Sequence, residues 1–390
     1  MDNLTHSLVG AAIGKAGADR TTPLATATLV VAANVPDIDM VGFVRGEYFS
    51  LAFRRGITHG WPALLVLPFV VTGLMMAWDR WVRRRRDPDA DPADPKWLLG
   101  LSAVGVVTHP SLDWLNIYGM RWSLPFDGTW TYGDSLFIID PWIWLLLGGS
   151  VFWASAPGGR GMVGWAVLGV LTTLLLVVGV GGWPAALWMV GIVAILLARR
   201  ATSTPARSGT GESPSSASLS SGHRRLVRTA AVLVLAYIGA MVAADRAARA
   251  HVIQAATAQG IMVVDVLVAP TRGVPHRSEV EVQTDDAFVP GIHDWFATPR
   301  VTLRPEDAVA LRSVPDDLTD ASAGAIIDEA RAIPAVANYM VWARYPYVHV
   351  TSADDGWDVL FGDARYDSQP ETGALAGVTV YVPRSAIPDP

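Results

Sequence analysis

Cysteine is absent from the 390 residues. That excludes a disulfide framework and a thiolate metal site, so any metal ion must be held by His, Asp, Glu or Asn. Charge is scarce as well: Asp, Glu, Lys and Arg make up 17% of the chain, and the formal net charge is -6. That balance argues against a binder driven by a basic surface, and no nucleic-acid partner is expected. The amino-terminal stretch MDNLTHSLVGAAIGKAG has no basic region ahead of its apolar part, so it does not read as a cleaved signal peptide. A sequence period of about 20 to 50 residues, the mark of repeat arrays, is also missing.

Apolar residues dominate instead. The chain is 51% hydrophobic with a mean hydropathy of +0.32, too apolar for a soluble enzyme of this length. Four runs, 57–78, 97–115, 162–181 and 226–244, are long enough, or nearly so, to span a bilayer. Two more, 137–155 and 183–198, complete a bundle if the shorter stands nearly upright or its Trp and Arg flanks snorkel. Residues 4–18 and 23–36 are rich in Ala and Gly and read as a tightly packed helical hairpin turning at GADRTTP. Trp61, Trp78, Trp97, Trp142 and Trp183 sit near run ends, where an aromatic belt places them.

Basic residues give an orientation. RWVRRRR joins the runs 57–78 and 97–115, while LARR and GHRRLVR bracket a Ser-rich stretch, so both loops are expected to be cytoplasmic. Alternation then puts NVPDIDM, the start of the run at Ile57 and the end of the run after Thr108 on the outer side. The expected fold class is mainly α: a polytopic transmembrane helical bundle followed by an extra-membrane α+β domain. The bundle occupies 1–198 with its core motifs in 1–145. A flexible cytoplasmic linker covers 199–225, a final transmembrane helix 226–246, and an outer α+β domain 247–390. In that domain IMVVDVLVAP, SEVEVQT, YPYVHV and GVTVYVP read as strands, and PEDAVALRSV and DASAGAIIDEARAI as short helices.

The stretch VVTHPSLDWLN holds His109, Asp113 and Asn116 at the end of an apolar run. On a helix the first two share a face, and ionisable groups at membrane depth usually line a site. Taken singly, a His in an apolar helix is commonly a core residue, and a DxD such as Asp37 and Asp39 is commonly a solvated turn. Their convergence is what points to chemistry. His6, Asp37, Asp39, His59, His109, Asp113, Asp134 and Asp140 all fall on one side of the expected topology. Imidazole with carboxylate suits zinc, or manganese, and several carboxylates with three histidines can hold one or two ions. One member of the DxD would bind metal and the other orient a histidine, in an order the spacing leaves open. A metal-activated water is the expected nucleophile, because THS and GDS lack the surroundings of a nucleophile elbow. Arg54 and Arg55 break the positive-inside bias beside His59, where a guanidinium can hold a phosphate oxygen; Arg121 is a weaker case of the same kind.

MDNLTHSLVGAAIG, ANVPDIDM, FRRGITHG and THPSLDWLNIYGMRWSLPF resemble, in order and spacing, the YdjM-like family of bacterial inner-membrane, metal-dependent hydrolases. The resemblance covers residues 1 to about 145 and extends more loosely to VLVAPTRGVPHRSEVEVQTDDAFVPG. It implies inner-membrane location and metal-dependent hydrolysis. The order His, Asp, His, HxxxD is also similar to that of the zinc-dependent phospholipase C and single-strand nuclease superfamily. Carried over by position, that likeness implies Asp39, His59, His109 and Asp113 around one zinc, and His6 with a shared Asp113 at a second. The superfamily's further histidine and HxxxE helix have no counterpart in the membrane part, which leaves Asp140 as a substitute ligand or a base.

The expected function is therefore a hydrolase with its site at the outer membrane face, acting on a phosphoester such as a phospholipid or lipid-linked phosphate. Metal ligands are His6, Asp39, His59, His109 and Asp113, and the catalytic residues Arg55, Asp37 and Asp140. Membrane lipid is the expected partner. The alternative is a structural or regulatory protein whose metal ties helices together while the outer domain binds a partner; a transporter fits less well, since its charges should reach the bilayer midplane. His251, His276, His293 and His349 have no ligand spacing and read as surface residues, with GIHDWF as a potential lid, and His223 falls in the linker.

Overall fold

The computed structural model describes residues 1–155, 158–203, 216–366 and 370–387. The chain divides into two compact units. One comprises Met1–Asp37, Arg55–Ala243 and Thr271–Pro275, and the other Ile38–Arg54, Ala244–Pro270 and His276–Pro390.

The first unit is helical. Asp2 caps helix α1 (Asn3–Lys15), accepting from the backbone N–H groups of Leu4 and Thr5 at 3.0 Å each. Helix α2 (Ala25–Ala32) packs against it at a distance only glycine permits, for a Cβ on Gly10 would stand 2.7 Å from the Leu29 carbonyl oxygen. These two helices form the expected amino-terminal hairpin. A 3-10 run, Val35–Arg45, and the short helix α3 (Glu47–Phe53) follow. Helix α4 (Trp61–Arg86) contains a π-helical turn at Asp79–Arg83. Helix α5 (Pro95–Trp114) starts on an Asp94 cap, with Pro95 in the first turn where its missing N–H costs nothing. On α5, Gly105 fits against α2, where a Cβ would meet the Ala32 Cβ at 2.6 Å. The remaining helices are α6 (Pro141–Ser155), α7 (Gly159–Gly179), α8 (Gly182–Ser203) and the 43-residue α9 (Ser216–Ala258).

Among the described residues, five helical runs are long and apolar enough to cross a membrane: Ala25–Arg45, Trp61–Arg86, Gly159–Gly179, Gly182–Ala201 and Ser221–Ala258. Pro141–Ser155 is apolar but shorter. Helix α5, expected as a span at 97–115, is long enough, but Thr108, His109, Ser111 and Asp113 dilute its apolar character and it is not among the five. Leu8, Ile143, Trp144, Leu147, Leu176 and Trp188 form the main buried cluster. Val163, Val167, Leu171 and Leu174 on α7 remain exposed, as the bilayer-facing wall of a span requires. Of the linker expected at 199–225, residues 204–215 lie outside the described residues; α9 is already helical from Ser216.

The second unit contains two sheets. Strands β1 (Asp265–Thr271), β2 (Val274–Gln283), β3 (Ala287–Asp294) and β4 (Val301–Leu303) lie side by side in chain order, and β5 (Val309–Ala310) also pairs with β3. The second sheet has the order β6 (Arg312–Ser313), β7 (Pro346–Ala353), β8 (Gly356–Asp363), β9 (Gly377–Pro383), antiparallel except for the β6–β7 pair. Helices α10 (Asp320–Ala332) and α11 (Pro334–Trp342) pack on this sheet. Helix α3 belongs to this unit as well: the Tyr48 hydroxyl donates to the Gly377 carbonyl at 3.2 Å, and its ring meets Tyr339 edge-on. The four expected strands and the helix at DASAGAIIDEARAI are present. PEDAVALRSV is not a helix: after a single 3-10 turn, Pro305–Asp307, it splits between β5 and β6. Ten residues are too few to sustain a helix alone, and pairing with β3 and β7 satisfies the backbone instead.

Candidate metal centre

Helix α5 brings its His and Asp to one buried face a turn apart; His109 is 0% and Asp113 1% exposed. The Nδ1–H of His109 donates to the Ala33 carbonyl at 2.6 Å, just past the end of α2. A carbonyl can only accept, so this bond fixes the tautomer and leaves a lone pair on Nε2. Asp37 enters from the 3-10 run after α2, and Asn3 Nδ2 holds it by donating to Oδ2 at 2.8 Å. His59 comes from the turn before α4, with Nδ1 3.0 Å from the Thr58 hydroxyl. Gly60 lets that turn press on its neighbour, because a Cβ there would lie 2.6 Å from the Trp122 carbonyl oxygen.

Asp37, His59, His109 and Asp113 each present one donor atom, and these four atoms lie within 4.8 Å of one another. His59 Nε2 stands 3.0 Å from His109 Nε2. Asp113 Oδ2 is 3.4 and 3.6 Å from the two imidazoles, and Asp37 Oδ1 3.9 and 3.7 Å. A lone pair on His109 that points at a second ring nitrogen, with two carboxylates beside both, needs a proton or a cation between them. Two nitrogen and two oxygen donors suit zinc or manganese, and the Ala33 and Thr58 bonds are the outer supports such histidines require. The residues present therefore fit a divalent metal ion.

Hydrogen-bond donors surround the cluster. Arg55, 3% exposed, donates through Nε to Asp113 Oδ2 at 2.9 Å and through Nη1 to Asn116 Oδ1 at 2.9 Å, with the Tyr118 ring 4.5 Å beneath its guanidinium. Its backbone is left-handed at φ 51°, a strained conformation for a side-chain-bearing residue that persists where surrounding contacts impose it. His6 stacks on His109 with ring centroids 3.8 Å apart. Its Nε2 donates to Asp113 Oδ1 at 3.2 Å, and the Met1 α-amino group also donates to that oxygen. His6 thus touches the cluster at His109 and Asp113 and is not one of the four converging donors.

The other candidates are not among the four donors. Arg54 Nε is 3.6 Å from Asp39 Oδ1, and it is Asp37 of the DxD that offers an oxygen to the group of four. Asp140 caps α6, accepting from the Trp142 and Ile143 N–H groups at 2.9 and 3.0 Å, and takes the Tyr237 hydroxyl at 2.8 Å on its other oxygen. Asp134 is buried with a left-handed backbone at φ 49°, and Arg121 lies over Trp130. His293, expected at the surface, is fully buried, with its Nε2 3.1 Å from His251 Nδ1; both rings pack on Trp295. His276 pairs with Asp294 at 3.2 Å, and GIHDWF forms the end of β3 and the turn after it. Sequence reasoning gave no role to Asn3, Thr58, Asn116 or Tyr118. Of these Asn116 had a signal, since 109, 113 and 116 continue one helical face.

A family model described as YdjM inner membrane protein matches residues 1–252. A curated relative, the uncharacterized protein YfhP of Bacillus subtilis (strain 168), is 28% identical over 153 residues, which cover 37% of this chain and 43% of that protein. The match thus spans less than half the length of that relative. No solved structure matches at a significant level. These comparisons support the YdjM likeness and do not extend to the zinc phospholipase C superfamily.

Proposed function

The chain belongs to the YdjM inner membrane protein family, and from that premise we propose that it is a membrane-embedded, metal-dependent hydrolase of phosphoesters. The observation that carries this reading is the convergence of four buried donor atoms within 4.8 Å of one another, with the His109 tautomer fixed so that its lone pair faces inward. His59, His109 and Asp113 would hold the ion. Asp37, the most exposed of the four, would serve as base. A divalent ion held there supplies Lewis acidity and makes a water acidic near neutral pH.

The chain's own groups do the rest. Asn3 keeps Asp37 Oδ1 turned toward the two imidazoles by occupying Oδ2. That Oδ1 takes the proton of the attacking water and returns it to the leaving alkoxide, as a bond from the water oxygen to phosphorus forms and the ester P–O bond breaks. Arg55 binds the anionic phosphoryl oxygen, and Asn116 and Tyr118 hold its guanidinium in place. In this proposal the metal cluster and the carboxy-terminal domain both lie on the outer side, a reading that the positive-inside bias of the basic loops supports. Lipid-linked phosphates or phospholipids are the proposed substrates.

A second reading, a helix-tying metal without turnover, draws on the burial of the cluster, where His59 and His109 are 0% and Asp113 is 1% exposed. Structural sites are closed and catalytic ones keep an open position. Metal content by mass spectrometry of detergent-purified protein, followed by hydrolysis of a chromogenic phosphodiester, separates the two. Metal and turnover both lost in His109→Ala with Asp113→Ala support the hydrolase. Stoichiometric metal without turnover on any ester class supports the tie, and absence of metal refutes both.

A further inference from the structure

A cleft of about 460 Å³ opens within the helical unit, away from the face of α1 that carries His6. Its walls include Leu4 and Leu8 of α1, Trp144 and Phe152 of α6, Trp165 of α7 and Trp188 of α8. Leu4 and Leu8 are one turn apart, and His6 lies between them in sequence, hence on the opposite side of α1. The volume is that of a small-molecule site, roughly 300–1,000 Å³.

The chemistry of the lining selects the occupant. The Thr172 and Thr173 hydroxyls donate to their own helix, at Leu168 and Gly169 carbonyls. The Trp188 indole N–H donates to Thr173 Oγ1 at 2.9 Å, and that of Trp144 to Thr5 Oγ1 at 2.9 Å. With these groups already paired, the cleft offers little to water or to a polar ligand; apolar cavities of this kind stay dry and accept hydrocarbon. Val170 and Leu174 line it and are themselves 58% and 56% exposed, which makes the mouth continuous with the bilayer-facing wall of α7. Trp144, in the cleft wall, also reaches the α1 start, since its N–H lies 3.3 Å from Asp2 Oδ2, the cap of the helix that carries His6.

We propose that this cleft seats one alkyl chain of a membrane lipid, so that a lipid held there presents its polar end near the first turn of α1. As the seat of a substrate chain, the cleft rests on the hydrolase reading above; as a lipid site it does not. Exclusion of the chain needs only one side chain. A Cβ at Gly169, one of the lining residues, would meet nothing within 4 Å, so Gly169→Ala is accommodated and leaves the cleft open, while Gly169→Phe adds a ring at the wall to compete with the chain.

The test uses the full chain in nanodiscs containing phosphatidylglycerol with a photoactivatable diazirine on one acyl chain. Labelled positions are mapped by mass spectrometry. Labelling is expected at Leu8, Trp165 or Trp188, falling about tenfold in Gly169→Phe as loss of about two buried methylenes requires, and unchanged in Gly169→Ala. Metal content should match wild type in both variants. On the hydrolase reading, Gly169→Phe also raises KM for a long-chain phosphoester while a short-chain one is unaffected. Labelling spread evenly over the outer faces of α7 and α8, and indifferent to Gly169→Phe, overturns the proposal, as do crosslinks at these positions to a second copy of the chain. Site-specific labelling in a protein that hydrolyses no phosphoester leaves the lipid seat standing and removes the hydrolase.

Discussion

Thr58→Val removes one hydroxyl and keeps the shape of the side chain. That hydroxyl lies 3.0 Å from His59 Nδ1, on the far side of the ring from the cluster. Its loss has two consequences of different size. The fold gives up a half-buried hydrogen bond, about 1 kcal/mol. The ring gives up the contact that aims its Nε2 at His109, and outer supports of this type are worth about 10- to 100-fold in metal affinity, or about 1.4–2.8 kcal/mol. Competition against a chromogenic zinc chelator measures that affinity directly. Thermal unfolding at fixed free zinc gives an independent reading, because a metal bound only by the folded state stabilises it by RT ln(1 + c/Kd), where c is the free zinc concentration. Thr58→Val should therefore bind zinc 10- to 100-fold more weakly than wild type by both methods, with His59→Ala weaker again. An affinity within about twofold of wild type would refute the assignment of His59 as a ligand held through Nε2.

Three further outcomes are expected. Asp140→Ala removes a helix cap and the acceptor of the Tyr237 hydroxyl, so thermal unfolding followed by tryptophan fluorescence should show a loss of about 2–4 kcal/mol with metal content intact; loss of metal would restore Asp140 to the site. Gly10→Val drives a Cβ into the Leu29 carbonyl and parts α1 from α2, so metal content should fall although no ligand has changed; wild-type metal content would show that this contact does not position the cluster. In the second unit burial pushes the Asp363 carboxyl up, but Arg365, bound through Nε and Nη2 at 3.0 and 2.7 Å, and the backbone N–H groups of Arg344 and Arg365 hold it below the usual carboxylate range. The unfolded chain then binds the proton first, so this stabilisation is complete above about pH 5 and is lost as pH falls below about 3.9 through the folded value. Asp363→Asn should cost about 3–5 kcal/mol at neutral pH by leaving Arg365 unneutralised, and should flatten the acid side of the stability profile; an unchanged acid limb in urea unfolding would refute it.

The site was legible in the sequence to the extent that it is local. His109 and Asp113 share a helical face by spacing alone, and His59 is marked by the apolar run it precedes. Asp37 and Asp39 are equivalent in the sequence; only the structure shows that Asp37 offers an oxygen to the group of four while Asp39 lies beside Arg54. Asp140 and Asp113 likewise both border apolar runs. One is occupied by two backbone N–H groups and a tyrosine from α9, and the other faces the histidines. Nothing near PEDAVALRSV distinguishes a short helix from two strand fragments, because the partners that decide are β3 and a strand more than thirty residues downstream.

By itself the sequence determined a multi-helix membrane protein followed by a mixed domain, because runs of apolar residues and their alternation express burial and hydrogen bonding residue by residue. It also determined that a metal site here has no thiolate, since the chain contains no cysteine. The tertiary structure alone decided which donors converge, which carboxylate serves as a helix cap, and that Ile38–Arg54 belongs to the unit formed by the carboxy-terminal sheets. Those outcomes depend on contacts between residues distant in the chain, where a glycine's missing Cβ or a carbonyl at a helix end sets the distance, and no local pattern encodes that.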